Sequence, residues 1–266
     1  MANFWIRQAE IVAGGKRFHS DDLDIEFDIS FDNDEEPDIA KVTIYNLSEN
    51  SIYAIKKNQS VIINAGYRGD IGTIFLGTLQ KTSTRWQGVD KVSEFTIGDG
   101  SKEWLTKEIS KAYGEGTTAS AILRDLIQMF GLELDRFNLA NDLVYPKGRV
   151  IDAMLKDAIT QVAKETGSQF KISKSKIFIM PFNEGIETGF LLNYNTGLIG
   201  SPEHFEKEEQ GETLKGFKIQ MLLNHKITTD SIIQVQSQTA NGRYRVLKGR
   251  HRSNSSDFLT EVEVCE

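Results

Sequence analysis

Residues 22–32 read Asp-Leu-Asp-Ile-Glu-Phe-Asp-Ile-Ser-Phe-Asp, an unbroken two-residue alternation. Leu23, Ile25, Phe27, Ile29 and Phe31 point one way, and Asp22, Asp24, Glu26 and Asp28 point the other. Successive side chains of a strand face opposite sides, so this segment is a β-strand with one apolar and one acidic face. The apolar face must meet a core built by other strands. The acidic face predicts an open row of carboxylates that needs water, counterions or a purpose.

The acidity is local. Residues 21–38 hold ten acids and no Lys or Arg, although the whole chain has a net charge of only -7. Direct DNA binding by this face is disfavoured, because nucleic-acid affinity comes mainly from cations that neutralise phosphates. At 266 residues, 39% apolar and 26% charged, the chain has the composition of a soluble globular protein with a real core. No run of about 18 apolar residues and no basic-then-apolar start occurs, so neither a membrane segment nor a secretory signal is expected, and maturation is expected in the cytosol. The single cysteine, Cys265, excludes an internal disulfide.

The first hundred residues read as mainly β. Strands are expected over 4–12, 22–32, 39–47, 61–67, 73–84 and 92–97, with a break at Pro37, a turn at Gly14-Gly15 and another at Arg68-Gly69-Asp70. Ser48 is placed to cap a short helix carrying Ile52, Tyr53 and Ile55, with Lys56 and Lys57 at its end. A sheet this short must hide its edges, which suggests a closed or nearly closed barrel.

The texture changes near residue 101. Ala119, Ile122, Leu123, Leu126, Ile127 and Phe130 fall at helical spacing, with Thr117 or Thr118 as cap and Gly131 as stop. Met154, Leu155, Ala158, Ile159, Val162 and Ala163 repeat that pattern before Gly167, and a hairpin over 169–182 follows. From about Gly189 strands return, over 190–193, 215–223, 231–237, 242–247 and 258–264, while the glutamate-rich stretch 201–213 reads as a solvated loop. The fold class is therefore mainly β with α+β. Two small barrel-type β domains, residues 1–100 and 189–266, flank a two-helix plus hairpin α+β domain at 101–188, and two similar barrels suggest duplication of a ring-forming unit.

Chemistry is sparse. His19, His204, His225 and His251 lie far apart and form no metal-binding spacing. The loop Asp32-Asn33-Asp34-Glu35-Glu36 has oxygens for calcium but lacks the glycine and the distal glutamate of a calcium loop. A general acid needs a raised pKa from burial, which an open carboxylate row does not supply. Gly98-Asp99-Gly100 and Gly114-Glu115-Gly116 lack the helix and lysine of a phosphate cradle. Arg68-Gly69-Asp70 reads as a hairpin turn. Catalytic, cofactor-binding and metal residues are all absent from this reading, which favours a non-enzymatic assembly protein.

A resemblance now becomes visible. Thr196-Gly197-Leu198-Ile199-Gly200-Ser201-Pro202-Glu203, Leu222-Leu223-Asn224 with Ile227, Gly242-Arg243-Tyr244-Arg245-Val246-Leu247-Lys248 with His251, and Asp257-Phe258-Leu259-Thr260-Glu261 resemble the baseplate hub proteins of tailed phages and phage-derived contractile particles. Ile44-Tyr45-Asn46-Leu47-Ser48, Ala65-Gly66-Tyr67 and Ile74-Phe75-Leu76-Gly77 look like the tube-domain segments of such hubs. The departures are His225, where proline is usual, Asp230, where glycine is common, and Phe258, where tryptophan is common.

The resemblance implies a homotrimer whose two tube-type domains per subunit make a ring of six, joining the sixfold tail tube to the central threefold spike. It also implies a place in the virion tail or baseplate after assembly in the host bacterial cytoplasm. The implied partners are the tail tube protein, the spike, other baseplate proteins and the tape measure protein, with the α+β insert projecting toward peripheral parts. No cofactor is implied. Asp22, Asp24, Glu26 and Asp28 would face a channel through which DNA passes without specific binding. The alternatives are a tail-associated peptidoglycan-degrading enzyme, or another tail adaptor or injection-machine hub.

Overall fold

The computed structural model describes residues 6–32, 38–99, 107–173, 176–182, 184–209 and 212–266. Residue 4 of the first expected strand, the calcium-loop candidates 33–36, Gly100 and the hairpin turn at 174–175 lie outside the described residues. The chain forms two compact units, Met1–Gly98 with Gly185–Glu266, and Asp99–Glu184.

The elements follow in chain order. The first segment carries β1 (Arg7–Ala13), β2 (Lys16–His19), β3 (Ile25–Phe31), β4 (Ile39–Tyr45), α1 (Glu49–Ala54), β5 (Ser60–Tyr67), β6 (Asp70–Gln87) and β7 (Asp90–Asp99). The inserted unit carries β8 (Glu108–Tyr113), β9 (Thr117–Thr118), α2 (Ala119–Phe130), β10 (Glu133–Phe137), β11 (Val144–Tyr145), β12 (Arg149–Met154), α3 (Leu155–Glu165), β13 (Ser168–Ser173) and β14 (Lys176–Pro181). The last segment carries β15 (Ile186–Leu192), β16 (Leu198–Glu209), β17 (Glu212–Leu222), β18 (Ser231–Gln236), β19 (Asn241–Ser253) and β20 (Phe258–Cys265).

In the first unit one 13-stranded sheet runs through both segments, in the order β16-β17-β20-β19-β3-β4-β7-β6-β5-β1-β2, with β18 on β19 and β15 on β18. The antiparallel β19–β3 pair, Gly249 opposite Phe31 through Ser253 opposite Phe27, joins the segments. Among the described residues, strand pairing closes neither half on itself.

Two cores lie along this sheet. Ile25, Phe27 and Ile29 of β3 enter the first, with Val42, Ile44, Ile63 and Ile97, and Leu23 packs against it. Phe31, the last apolar residue of the same strand, enters the second with Met221, Ile233, Val246 and Val264. In exchange, Leu223 and Phe258 of the last segment complete the first core. The apolar face of β3 is shared between the two cores, because β19 offers Gly249 where Phe31 arrives and leaves room for its ring. Each fully buried Ile or Phe stabilises by about 1.5–3 kcal/mol, so β3 welds both halves.

Five strands occur twice. β3, β4, β5, β6 and β7 lie in the lateral order β3-β4-β7-β6-β5, and β16, β17, β18, β19 and β20 lie in the order β16-β17-β20-β19-β18, every neighbouring pair antiparallel. Even the bulges agree. The β6–β7 ladder shifts register between Leu79 and Lys81, and the β19–β20 ladder shifts between Val246 and Lys248.

Local signals explain most of the boundaries. Ser48 caps α1 by accepting from the Ser51 amide, Thr118 caps α2 by accepting from Ala121, and Gly131 ends α2 in the left-handed conformation, with φ of 79°. Lys56 and Lys57 lie past the end of α1. Of the stretch 201–213, read as a loop, residues 201–209 and 212–213 instead form the facing ends of β16 and β17. With Ser201, Glu203, His204, Glu206 and Lys207 all exposed, no face there is committed to a core, so no apolar alternation marks the strands.

The inserted unit packs α2 and α3 on β13–β14 around Ile122, Leu126, Leu155, Ile159, Ile177 and Ile179. β10 joins β14 in parallel, which the sequence did not announce, and β8 with β12 and β9 with β11 form two further ribbons.

Candidate functional site

The polar face of the continuous sheet is the place to look for function, because β3 brings its carboxylates there. Glu26 and Asp28 lie within β3, whereas Asp24 immediately precedes it and Asp22 sits in the preceding turn. Asp22 therefore leaves the predicted ladder, since the chain is still turning from β2 where alternation alone suggests an extended strand.

The row is also not an open one. β19 places Arg252 directly opposite Asp28 and Arg250 opposite Ser30, on the same face. Arg250 grips Asp28 with two nitrogens, Nε donating to Oδ1 at 2.5 Å. That carboxylate holds the guanidinium even more firmly protonated than usual. Tyr45 of β4 donates to Glu26 at 3.4 Å, and burial, followed by the charge of Glu26, raises the phenol above its ordinary range.

The pattern continues across the sheet. Lys248 lies 3.1 Å from Glu263 of β20, Lys218 of β17 reaches the same carboxylate at 3.5 Å, and Gln220 donates to Glu261 at 3.0 Å. Farther along, Arg85 of β6 makes a two-pronged pair with Glu94 of β7 at 2.7 and 2.8 Å. Acidic and basic strands alternate, so cross-strand attraction replaces the like-charge repulsion of an all-acidic face. Between β16 and β19 the face forms an open trough of about 700 Å³ lined by Glu203, Lys218, Lys248, Arg250, Glu261 and Glu263.

Behind this face lies a polar chain. The Asn224 amide donates to Thr260 Oγ1 at 3.1 Å, and the Thr260 hydroxyl lies 2.8 Å from His251 Nδ1. His251 Nε2 lies 3.2 Å from the Ile227 carbonyl, which only accepts, so Nε2 carries the proton and Nδ1 accepts. The imidazole is buried and lies against Phe31, with ring centroids 4.8 Å apart. In the first half, Thr84 and Ser93 make the same cross-strand contact with hydroxyl oxygens 3.1 Å apart. Asp230, standing where the resemblance leads one to expect glycine, takes φ of 62°, the left-handed conformation that glycine adopts most readily.

His225 and Lys226 converge on Asp70, at 3.0 and 3.8 Å, and Asp70 is the last residue of the Arg68-Gly69-Asp70 turn. In the inserted unit, Asp125 accepts from Lys111 and from Tyr113, while Glu165 accepts from Arg149 and Tyr145. These tie each helix to its neighbouring ribbon. Among the described residues no group of three or more His, Cys, Asp or Glu is arranged to hold a metal ion. No helix of the described residues is long and apolar enough to cross a membrane.

Alternation within one strand does not reveal the basic partners of the acidic strand. A signal was present, because Lys81 and Lys248, Arg85 and Arg252, Asp90 and Asp257, and Glu94 and Glu261 recur at one constant spacing. The Lys81/Lys248, Arg85/Arg252 and Glu94/Glu261 pairs occupy matching places in the two ladders.

No family model and no curated protein matches the sequence. Solved structures do match, and they define a class: the fold is that of phage and prophage tail proteins. A tail protein from Neisseria meningitidis aligns with TM-score 0.71 at 9% identity, over 98% of this chain and 97% of its own. The 43 kDa tail protein of prophage MuSo2 from Shewanella oneidensis gives 0.71 at 9% identity, over 98% of both chains. An E. coli component of the type VI secretion system, itself structurally similar to bacteriophage T4 tail proteins, gives 0.63 at 11% identity, over 91% of this chain and 73% of its own.

Proposed function

We propose that this chain is a structural hub of a phage-type tail or baseplate, three copies forming a ring that joins a sixfold tail tube to a threefold spike. The observation that carries the reading is the five-strand repeat within one continuous sheet. A subunit holding two equivalent units in a row offers six quasi-equivalent positions when three copies close a ring. The fold likeness to tail proteins supports the same reading.

On this reading the polar face of the sheet lines a channel, with Asp24, Glu26 and Asp28 on the wall and Asp22 at its rim. Its chemistry suits passage without capture. Arg250 is held by Asp28 and Lys248 by Glu263, so these cations are engaged before any phosphate arrives. The partners would be the tube protein, spike, tape measure protein and other baseplate proteins, some of them meeting the inserted unit. The role is structural rather than catalytic.

Solution mass tests the assembly: a species of about 90 kDa, three times the 29.9 kDa chain, is expected. A six-copy species would point to an adaptor ring instead. Tight DNA binding by the purified ring at low salt would count against the channel wall.

A further inference from the structure

The two repeats differ in one respect, and that difference identifies a partner. β19 uses one edge twice: Asn241–Arg245 pair with β18, and Gly249–Ser253 pair with β3 of the other repeat. Its counterpart β6 pairs with β5 through Thr78, but among the described residues no strand takes that edge over residues 81–87. At the opposite end of the sheet, the outer edge of β16, the counterpart of β3, also lacks a strand partner. One molecule thus carries both halves of a junction that it makes internally once.

We infer that residues 81–87 of β6 pair with β16 of a second copy of this chain, repeating between copies the β19–β3 junction found within one. This rests on the ring reading above and adds the strands, register and side chains that would close it.

The register transfers residue by residue. Thr84 and Arg85 match His251 and Arg252 through the common bulge and ladder. On the other side, Asp28 faces Lys41 and Glu203 faces Lys218, while Lys41 and Lys218 hold matching places against β7 and β20. His251 opposite Ile29 therefore becomes Thr84 opposite His204 of the next copy, and Arg252 opposite Asp28 becomes Arg85 opposite its Glu203. A cation again stands opposite a carboxylate, although within the molecule Asp28 is held by Arg250, whose counterpart is Ser83, and Arg252 by Asp257.

Exposure agrees with a missing cover. Trp86 is 68% exposed, whereas Ser253 at the matching place is 8% exposed beneath β3. His204 is exposed, whereas Ile29 is buried. The open edge over residues 81–87 carries no proline and is a template for another strand, while on β16 Pro202, next to Glu203, limits the pairing to the residues that follow it. The contact is head-to-tail, each copy giving a different edge, so it generates a closed ring when the rotation per copy allows.

The test is a disulfide across the inferred pair, Thr84→Cys with His204→Cys in a Cys265→Ala background. Directly opposite positions bring Cβ atoms to about 4.5–5.5 Å, near disulfide range. Oxidation is expected to give covalent dimers and trimers. The control, Thr84→Cys with Phe205→Cys, aims the second thiol at the opposite face and is expected to give none. A multi-copy species without the cross-link overturns this edge pairing and leaves the ring standing. A monomer at every concentration, with no cross-link, overturns both. Independently, Arg85→Glu should weaken self-association about tenfold and Glu203→Arg should restore it in the double variant; no rescue counts against the register.

Discussion

His225 lies with Nε2 3.0 Å from the carboxylate of Asp70, its ring so close over Gly72 that a Cβ there would fall 2.2 Å from Nδ1. The contact fastens the start of β6 to the loop after β17, and so one repeat to the other. The hydrogen bond from His225 is the main cause that holds the Asp70 carboxyl below its ordinary range; burial opposes it, and the charge of Lys226 adds to it.

A depressed carboxyl stabilises the fold above its unfolded pKa, and that contribution disappears as pH falls through the folded value. Asp70 is largely exposed, so the effect is small. Asp70→Asn should cost less than about 1 kcal/mol at neutral pH. The difference from the parent should begin to shrink as pH falls below about 4 and disappear as pH passes through the lowered folded value, as followed by urea unfolding across pH.

Gly249→Ala should destabilise by about 1–3 kcal/mol through overpacking. The added methyl would fall 2.5 Å from the Phe31 ring and 2.6 Å from the Glu261 carbonyl oxygen, at the seam of the repeats. Thermal and denaturant unfolding would measure it, and an unchanged midpoint would contradict the sharing of Phe31 between the halves.

Thr260→Val keeps the shape and removes the hydroxyl that links the Asn224 amide to His251. Leaving the part-buried Asn224 amide and the buried His251 nitrogen unsatisfied should cost about 1–3 kcal/mol in chemical denaturation. Thr260→Ser, which retains the hydroxyl, should recover most of the loss.

Tyr145 in the inserted unit gives a prediction at alkaline pH. Burial first, and then the hydrogen bond to Glu165, push its phenol up to about 12. A raised phenol stabilises fully below its unfolded pKa of about 10 and loses that contribution as pH rises toward the folded value. Ultraviolet titration should show Tyr145 within a group of late-ionising tyrosines, and Glu165→Gln should move one of them earlier.

Much of the architecture was legible because one face of each core strand is committed. β3 and both long helices are visible as apolar periodicity, and Ser48, Thr118 and Gly131 mark helix ends by local hydrogen bonding and backbone freedom alone. The arms of β16 and β17 were not legible, because strands wetted on both faces carry no alternation. Parallel β10 was hidden for another reason: its pairing with β14 joins segments about forty residues apart, and no local pattern encodes a distant partner.

The acidic strand divides the two kinds of information. Its sequence by itself determined that it is extended, which residues face the core, and that carboxylates crowd the other side, because side-chain direction along a strand has a period of two. Only the tertiary structure decided its neighbours. Pairing with β19 brought Arg250 to Asp28, sent Phe31 into the second core, and turned an expected row of unbalanced charge into one column of a charge-alternating sheet. Register between strands far apart in the chain is set by the packing of whole faces, and that information belongs to no single segment.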